Sequence, residues 1–361
     1  MGVTSAARPR VLIAAGGTAG HVVPALAIAA ALRASGAEVE FAGGERAEAD
    51  LVPAAGYPFH ALNVAGLDRR NPLRAARAAG LAARATAKAR RLVKDFDVVL
   101  GGGGYVAGPV GLAAVTRGVP LALTEADSHL GVANRLLARF AKRVFLAFPL
   151  AGRDGDRYEV TGRPVPPGTA GGDRGAARRR FGIDPEERCL LVFGGSLGAR
   201  SLNEAAIEAF GREAPFAVLH ASGRRDYEDL RRRLDELGSP AHYRLEPYIE
   251  PFAEAYAAAD LAAARSGGSV FELAAAGLPA ILVPYPHATG DHQTGNARWM
   301  ADAGAAVAIP DAELDAARLR AETIAIVSDG DRLAGMAAAS RALARPDAAE
   351  RIAAGILALA V

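Results

Sequence analysis

Short apolar runs alternate with longer helical patterns along nearly the whole chain, and this alternation most limits the folds open to it. The first run, Val11–Ala15, precedes a helical pattern, and the same order then repeats. Strand–helix–strand alternation predicts parallel sheets with helices on both faces. Hydrophobic residues make up 51% of the 361 residues, which is enough apolar material for the cores of about two domains.

A stretch rich in proline and glycine, 162–172, interrupts the alternation, which begins again near Leu190. We therefore predict an α/β fold with two doubly wound, Rossmann-like domains that face each other across a cleft, residues 1–162 and 163–340. The remaining residues, 341–361, are predicted to form a C-terminal helix that packs back on the first domain. Ligands of such sheets bind beyond the carboxyl ends of the strands.

Charge and cysteine content exclude several classes of protein. The net charge of +2 argues against a dedicated nucleic-acid binder. Residues 1–160 carry 20 basic and 13 acidic side chains, so this half would approach an anionic surface. Cys189 is the only cysteine, and its apolar neighbours predict an inert buried thiol. The apolar run near the N-terminus is too short for a signal peptide or a membrane span, so we expect a cytoplasmic protein with at most peripheral membrane contact.

Three glycine-rich turns follow predicted strands, at 15–21, 101–109 and 194–200. Glycine lets the backbone approach a phosphate, and the following helix offers unpaired N–H groups. One such turn is weak support, and a plain connecting turn is the alternative. Three such turns suggest a site that binds several phosphates, and a diphosphate donor together with a diphosphate acceptor would supply that many. Ala15 stands where a dinucleotide fingerprint has glycine, which weakens a nicotinamide site.

His21 follows the first turn, and we predict that the helix beyond it opens at Pro24. The positive end of a helix favours the neutral imidazole, which could accept a proton from a sugar hydroxyl. The alternative is a histidine that caps the helix or packs against it.

A fourth turn, 265–268, leads into a predicted helix whose first turn carries Glu272. A carboxylate there can accept hydrogen bonds from both vicinal hydroxyls of a ribose, or it can merely offset the helix dipole. The polar loop that follows, 284–296, could bind sugar hydroxyls. Its histidines and aspartate have no matching cluster elsewhere, so we predict no metal site.

Residues 69–94 contain nine basic side chains and no acidic one. On a helical wheel the basic residues share a face with leucines, and the opposite face is almost all alanine. Such a face suits an anionic membrane surface, with a solvated basic face as the alternative. The predicted membrane-facing residues are Leu73, Arg74, Arg77, Leu81, Arg84, Lys88 and Arg91.

Taken together, the segments 16–24, 103–109, 194–200 and 272–279 resemble the MurG family of bacterial peptidoglycan synthesis, in the family's order and over nearly the whole chain. The resemblance implies a GT-B fold and an inverting, metal-free transfer of N-acetylglucosamine from UDP-GlcNAc. The acceptor would be the 4-hydroxyl of the N-acetylmuramic acid of lipid I, and the products lipid II and UDP. It also implies no cofactor, peripheral docking on the cytoplasmic face of the cell membrane, and contacts with other cell-wall synthesis proteins.

The resemblance further implies roles for individual residues, with His21 as the candidate general base. Glu272 would bind the ribose, Ile249 would lie beside uracil and Gln293 would contact the sugar. The residues expected to bind UDP-GlcNAc are Thr18, Ala19, Gly20, Asp127, Arg163, Ser196, Ile249, Gly268, Ser269, Val270, Phe271, Glu272 and Gln293. Those expected at the acceptor diphosphate are Gly16, Gly17, Gly103, Gly104 and Tyr105.

Three departures from the family pattern concern specificity rather than reaction type, and one of them is a turn before Glu272 that is one residue shorter than the common form. Asp127 stands where the family has asparagine; it keeps an acceptor oxygen, lacks the N–H donors and is a second base candidate. Pro166 stands where the family has an arginine, and Arg163 is the candidate replacement.

Four alternatives stay open at this point. They are another GT-B transferase with a glycolipid acceptor, a UDP-GlcNAc 2-epimerase, a nicotinamide oxidoreductase and a non-catalytic sugar-nucleotide sensor. The oxidoreductase rests only on the first glycine turn and Glu45 after the second predicted strand.

Overall fold

The computed structural model describes residues 8–64, 72–195 and 198–360. The chain divides into two compact units, Met1–Val165 with Arg345–Val361, and Pro166–Ala344. These divisions fall a few residues beyond the 162 and 340 expected from the sequence. The first lies in the proline- and glycine-rich connection, which has no helix or strand over 161–173, and the second directly follows the helix Gly330–Leu343.

The first unit contains a seven-stranded parallel sheet with the order β3-β2-β1-β4-β5-β6-β7. Its elements up to residue 160 are β1 (Arg10–Ala14), α1 (Ala19–Ala34), β2 (Glu38–Gly43), α2 (Ala47–Ala54), β3 (Phe59–Ala61), α3 (Pro72–Leu92), β4 (Val98–Gly101), α4 (Gly104–Arg117), β5 (Leu121–Glu125), α5 (Val132–Leu137), β6 (Arg143–Leu146) and β7 (Tyr158–Val160).

The second unit contains a six-stranded parallel sheet with the order β10-β9-β8-β11-β12-β13. Its elements are α6 (Arg174–Phe181), β8 (Cys189–Phe193), α7 (Arg200–Phe210), β9 (Ala217–Ala221), α8 (Tyr227–Glu236), β10 (Tyr243–Glu246), α9 (Phe252–Ala258), β11 (Leu261–Ala264), α10 (Ser269–Ala276), β12 (Ala280–Leu282), α11 (His292–Asp302), β13 (Ala306–Ala308), α12 (Ala316–Val327) and α13 (Gly330–Leu343). The last helix, α14 (Ala348–Leu357), belongs to the first unit.

The strand order reverses once in each sheet, between β1 and β4 and between β8 and β11. Such switch points are where ligands bind in doubly wound folds, beyond the carboxyl ends of the strands. All four of these strands run directly into the glycine-rich turns singled out in the sequence. The predicted class of two doubly wound α/β units is confirmed.

Apolar residues from strands and helices form the core of each unit. In the first unit α14 places Ile352 and Ile356, both at most 1% exposed, in the same cluster as Ile28 of α1. Gly355 permits this close packing, because a Cβ there would lie 2.6 Å from the ring of Phe145. In the second unit Cys189 is fully buried, and burial raises the pKa of its thiol to about 12, which agrees with an inert core thiol.

The prediction that Pro24 opens the first helix is wrong, because α1 begins at Ala19 and Pro24 lies inside it. Proline has no N–H, so the carbonyl of Gly20, one turn earlier, loses its partner within the helix. The guanidinium of Arg163 donates to that carbonyl at 2.6 Å. Arg163 of the same unit thus compensates for a proline in the helix that carries His21.

The strands β3, β7 and β13, each of three residues, were not predicted. All three lie at sheet edges, where one neighbouring strand suffices and the apolar pattern is short. Within the described residues, no helix is long and apolar enough to cross a membrane.

Candidate functional site

The two glycine turns of the first unit touch each other backbone to backbone. A Cβ on Gly104 would lie 1.9 Å from the carbonyl oxygen of Gly16, and Gly104 has a φ of +77°. A larger residue at 104 is therefore excluded on both steric and conformational grounds. As a result, α1 and α4 begin side by side at the switch point of the sheet.

His21 lies in the first turn of α1 and packs on the second glycine turn. The position of a Cβ on Gly103 would be 3.4 Å from the imidazole ring. Burial lowers the pKa of His21 from its ordinary value of 6.5, and the nearby Arg163 lowers it further, against the opposing effects of Asp127 and Glu48. The imidazole is therefore neutral at neutral pH and able to accept a proton.

A buried carboxylate at the end of β5 organises the next loop. Glu125 accepts hydrogen bonds from the N–H of Gly131 at 2.8 Å, the amide of Asn134 at 2.9 Å and the N–H of Asp127 at 3.2 Å. Burial raises the pKa of Glu125, although the bonds from Gly131 and Asn134 oppose the shift. The loop held in this way brings Asp127 close enough to act on the pKa of His21.

A small cavity of about 20 Å³ lies beside these groups, with His21, Glu125 and Arg163 among its walls. That volume suits one water molecule.

A second buried carboxylate, Glu48, was not predicted. Its oxygens accept from the N–H of Gly17 at 2.8 Å, the N–H of Gly44 at 2.9 Å and the hydroxyl of Tyr105 at 3.2 Å. Glu48 is fully buried. Glu48 joins the first glycine turn to α4, the helix that follows the second glycine turn.

The third glycine turn, after β8, belongs to the second unit. A Cβ on Gly198 would lie 2.4 Å from the carbonyl oxygen of Ser222, so this turn packs on the end of β9. Beneath it, buried Asn203 donates to that same carbonyl at 2.9 Å and lies 3.0 Å from the ring of His220. Ser196, expected near the donor phosphates, lies outside the described residues.

Glu272 lies in the first turn of α10, as predicted from the sequence. The hydroxyl of Tyr256, on the neighbouring helix α9, donates to one of its carboxylate oxygens at 2.9 Å. Burial and the adjacent carboxylate raise the pKa of Tyr256 well above its ordinary value, so the phenol stays a donor. The bond orients a carboxylate at the positive end of a helix.

The polar loop after β12 is attached to the turn after β11. The N–H of Tyr285 donates to the side-chain oxygen of Gln293 at 2.9 Å, and the hydroxyl of Ser266 donates to the carbonyl of Gln293 at 2.8 Å. The side-chain nitrogen of Gln293 lies 3.8 Å from where a Cβ on Gly267 would be. Gln293 is therefore held beside the turn that opens α10.

The structure brings most of the predicted residues together within each unit. In the first unit they surround the starts of α1 and α4: Gly16, Gly17, Thr18, Gly20, His21, Gly103, Gly104, Tyr105, Asp127 and Arg163. In the second unit they surround the start of α10: Gly268, Ser269, Val270, Phe271, Glu272 and Gln293. Ile249 is buried just beyond β10, and the side chain of Ala19 lies outside what the structure describes.

A larger cavity, of about 460 Å³, lies at the opposite end of the second sheet. Its walls include Arg188 and Asp260, which directly precede β8 and β11. Arg174, Arg178 and Arg188 all form ion pairs with Asp260. Tyr256 also lines the cavity, but Arg188 and Asp260 place it at the ends of β8 and β11 opposite the glycine turns.

Three residues that hold the candidate site together were not predicted, and two of them have partners that are remote in the sequence. Glu48 binds residues 31 and 57 positions away, and Tyr256 binds one 16 positions away. Glu125 carries a usable signal, since it is an acidic residue at the end of a predicted buried strand. Among the described residues, no group of three or more His, Cys, Asp or Glu side chains could hold a metal ion.

Comparison with known proteins first identifies the class. Residues 11–146 match the Glycosyltransferase family 28 N-terminal domain, and residues 189–352 match the Glycosyltransferase family 28 C-terminal domain. The two doubly wound units with glycine turns at their switch points are therefore those of a family 28 glycosyltransferase, and the predicted enzyme class is confirmed.

Curated relatives identify the family within that class. A protein of Methylococcus capsulatus, named UDP-N-acetylglucosamine--N-acetylmuramyl-(pentapeptide) pyrophosphoryl-undecaprenol N-acetylglucosamine transferase, is 44% identical over 350 residues, 95% of this chain and 97% of the relative. A protein of the same name from Salinibacter ruber is 43% identical over 98% of this chain and 97% of the relative. The crystal structure of Acinetobacter baumannii MurG has a TM-score of 0.78 at 32% identity, covering 98% of this chain and all of that one. The chain belongs to the MurG family, as its motifs predicted.

A structure of a UDP-N-acetylglucosamine 2-epimerase also matches, with a TM-score of 0.66 at 16% identity over 96% of this chain and 95% of the other. At that identity the likeness concerns the fold alone.

We predict that two substitutions move the pKa of His21 in opposite directions. Arg163→Gln removes a positive neighbour and should raise the pKa, whereas Asp127→Asn removes a negative neighbour and should lower it. NMR titration of the imidazole measures both shifts. If His21 is the base, the acid limb of the rate profile should move with the pKa; shifts of the same sign in the two variants would contradict this electrostatic account.

We also predict that Tyr256→Phe weakens UDP binding about 2- to 10-fold, the usual effect of one orienting hydrogen bond. The loss should appear in calorimetry with UDP. Tyr243→Phe is the matched control, because it removes another buried hydroxyl of the same unit, bonded to His220 at 2.7 Å instead. Equal losses in the two variants would show that general destabilisation, rather than the orientation of Glu272, is being measured.

Proposed function

We propose that this chain transfers N-acetylglucosamine from UDP-GlcNAc to the 4-hydroxyl of the N-acetylmuramic acid of lipid I, giving lipid II and UDP in peptidoglycan synthesis. The observation that carries the proposal is the near-full-length similarity, at 44% and 43% identity, to relatives named for this transfer. The site geometry supports it, since each unit has its own glycine turns at the switch point. The second unit is assigned the nucleotide, and the first unit the base and the acceptor.

The donor site of the proposal centres on Glu272. Its carboxylate, oriented by Tyr256, would accept hydrogen bonds from the two ribose hydroxyls. The start of α10, Gly268 to Phe271, would surround the nucleotide, with Ile249 beside uracil and Gln293 on the sugar. Ser196 would lie near the phosphates. This set of contacts explains why a carboxylate stands in the first turn of a helix that otherwise has no charge.

His21 is the proposed general base, with Asp127 as the alternative. The neutral imidazole would take the proton of the acceptor hydroxyl while the oxygen of that hydroxyl forms a bond to the anomeric carbon. The bond from that carbon to the phosphate oxygen breaks on the opposite face, and the electron pair leaves with UDP. The anomeric configuration is thereby inverted. Thr18, Ala19 and Gly20 would meet the donor sugar, with Arg163 held beside them by its bond to Gly20.

The acceptor diphosphate is assigned to the adjacent starts of α1 and α4. Within the described residues, no side chain caps either helix N-terminus. Two uncapped N-termini side by side offer N–H groups and two positive dipole ends to an anion. Gly16, Gly17, Gly103, Gly104 and Tyr105 form this place, although the N–H of Gly17 is already bonded to Glu48.

No metal enters the proposal. Charge on the departing UDP would be stabilised by backbone N–H groups and by helix N-termini. UDP-GlcNAc and lipid I are the only small molecules that the reaction needs. Contacts with other cell-wall synthesis proteins stay a prediction from the family resemblance.

Membrane docking is proposed for the face formed by α3, α4 and α5 on the cytoplasmic side of the cell membrane. On α3, alanines 78, 85 and 89 are buried while the basic side chains face solvent: Arg77, Arg84, Lys88 and Arg91. Leu81 is half-buried, and the side chains of Leu73 and Arg74 lie outside the described residues. Three exposed apolar side chains that the sequence did not indicate lie nearby in the chain order: Leu112 on α4, Leu136 on α5 and Phe140 just after α5. Basic residues around exposed apolar ones suit an anionic lipid surface.

The experiment that tests the function is release of UDP from UDP-GlcNAc with and without a lipid I analogue. We expect release only with the analogue, together with a disaccharide product. His21→Ala should then lower kcat by about 10²- to 10⁴-fold with little change in UDP affinity, the usual contribution of a general base. Release that needs no lipid would instead support the epimerase, and full activity of His21→Ala would remove this histidine from the mechanism.

The docking proposal predicts that Leu136→Ser combined with Phe140→Ser weakens binding to vesicles rich in phosphatidylglycerol by about 10-fold, because buried apolar area is lost. Turnover of a water-soluble acceptor analogue should be unchanged. Val160→Ser, at an exposed apolar residue of edge strand β7, is the control. If the double variant sedimented with vesicles as well as the wild type does, the proposal that this face docks on the membrane would be contradicted.

A further inference from the structure

The first glycine turn already holds an anion, and that anion is the carboxylate of Glu48. The residue lies in the first turn of α2, where the helix dipole favours a negative charge. Donors from three separate segments reach it: the N–H of Gly17, the N–H of Gly44 and the hydroxyl of Tyr105. A fully buried carboxylate is costly unless such donors are present, so the carboxylate and its donors hold one another in place.

The surrounding glycines make room for this carboxylate. A Cβ on Gly16 would lie 2.5 Å from an oxygen of Glu48, and a Cβ on Gly43 would lie 2.7 Å from its Cγ. A Cβ on Gly44 would lie 2.7 Å from the hydroxyl of Tyr105. Gly16, Gly43 and Gly44 therefore leave the space that the carboxylate of Glu48 and the hydroxyl of Tyr105 occupy, in addition to any space they leave for a ligand. The first glycine turn packs around Glu48.

The carboxylate is linked to His21 through a short stretch of backbone. Gly17 comes four residues before His21, and the ring of Tyr105 lies 3.2 Å from where a Cβ on Gly17 would be. Gly16 in turn rests against Gly104, on the turn that contacts the imidazole. A shift of Gly17 away from α4 would therefore move the imidazole relative to the second glycine turn.

We propose that Glu48 is a positioning residue of the transfer reaction: its carboxylate fastens the first glycine turn to Tyr105 and so places His21 and the acceptor-binding starts of α1 and α4. This inference rests on the proposed function. Glu48 itself touches neither substrate. Its role is to keep two helix N-termini and one imidazole in a single arrangement.

The test is Glu48→Gln, which keeps the size of the side chain but turns one of its acceptor oxygens into a donor. One N–H of Gly17 or Gly44 then loses its partner. We expect kcat/KM for the lipid I analogue to fall about 10- to 100-fold, the usual effect of losing a charged buried hydrogen bond. The affinity for UDP, measured by calorimetry, should stay within about 2-fold, because the nucleotide is assigned to the other unit.

The matched control is Glu40→Gln, which neutralises a carboxylate on β2 of the same unit, paired with Arg10 at 3.1 Å and His60 at 2.6 Å. This variant should keep wild-type kinetics. Tyr105→Phe removes only the hydroxyl bond and should give a smaller loss than Glu48→Gln. The double variant should lose less than the product of the two single effects, because both substitutions act on one bond.

Hydrogen exchange of the folded proteins gives a readout that does not depend on activity. Amides of residues 15–22 and 102–106 should exchange faster in Glu48→Gln than in Glu40→Gln. If Glu48→Gln does not fold, Tyr105→Phe is compared with Glu40→Gln instead. Unchanged exchange in both segments, or unchanged acceptor kinetics, overturns the proposal. Absence of acceptor-dependent transfer in the wild type would contradict the proposed function instead, and the exchange comparison would then decide the role of Glu48 alone.

Discussion

Backbone contact between the two glycine turns of the first sheet leaves no space for a side chain between them. The carbonyl of Gly16 occupies the volume that a Cβ at residue 104 would need. Because the turns follow adjacent strands at the switch point, their contact puts the starts of α1 and α4 together. The positions of His21 and Tyr105 both follow from this contact, since each lies in the first turn of one of these helices.

In both units, buried or oriented carboxylates hold the segments beyond the sheet in fixed conformations. Glu48 and Glu125 each accept three hydrogen bonds from the loops and first helical turns beyond the first sheet. In the second unit Glu272 is oriented by Tyr256 at the start of α10. Loops beyond a sheet have few apolar contacts to hold them, so charge-assisted hydrogen bonds give them fixed conformations. The two units differ in the side chain that they offer to a ligand: the first unit presents the neutral imidazole of His21, and the second presents the carboxylate of Glu272.

Patterns that are local in the sequence predicted most of the fold and much of the site. The apolar runs located the central strands, and the glycine turns marked the ends of β1, β4, β8 and β11, because both features depend on neighbouring residues. Pro24 misled the prediction of a helix start, since proline at a first turn is usual and its compensation by Arg163 comes from 143 residues away. Glu48 and Tyr256 escaped notice for the same reason, as did the exposed apolar residues on α4 and α5, whose surroundings are set only by packing.

The most direct test of the account is a crystal structure of this protein with UDP-GlcNAc. The nucleotide should lie at the carboxyl ends of β8 and β11, with both ribose hydroxyls on the carboxylate of Glu272. A nucleotide held only by the turns after β1 and β4, with Glu272 touching no ligand atom, would contradict it.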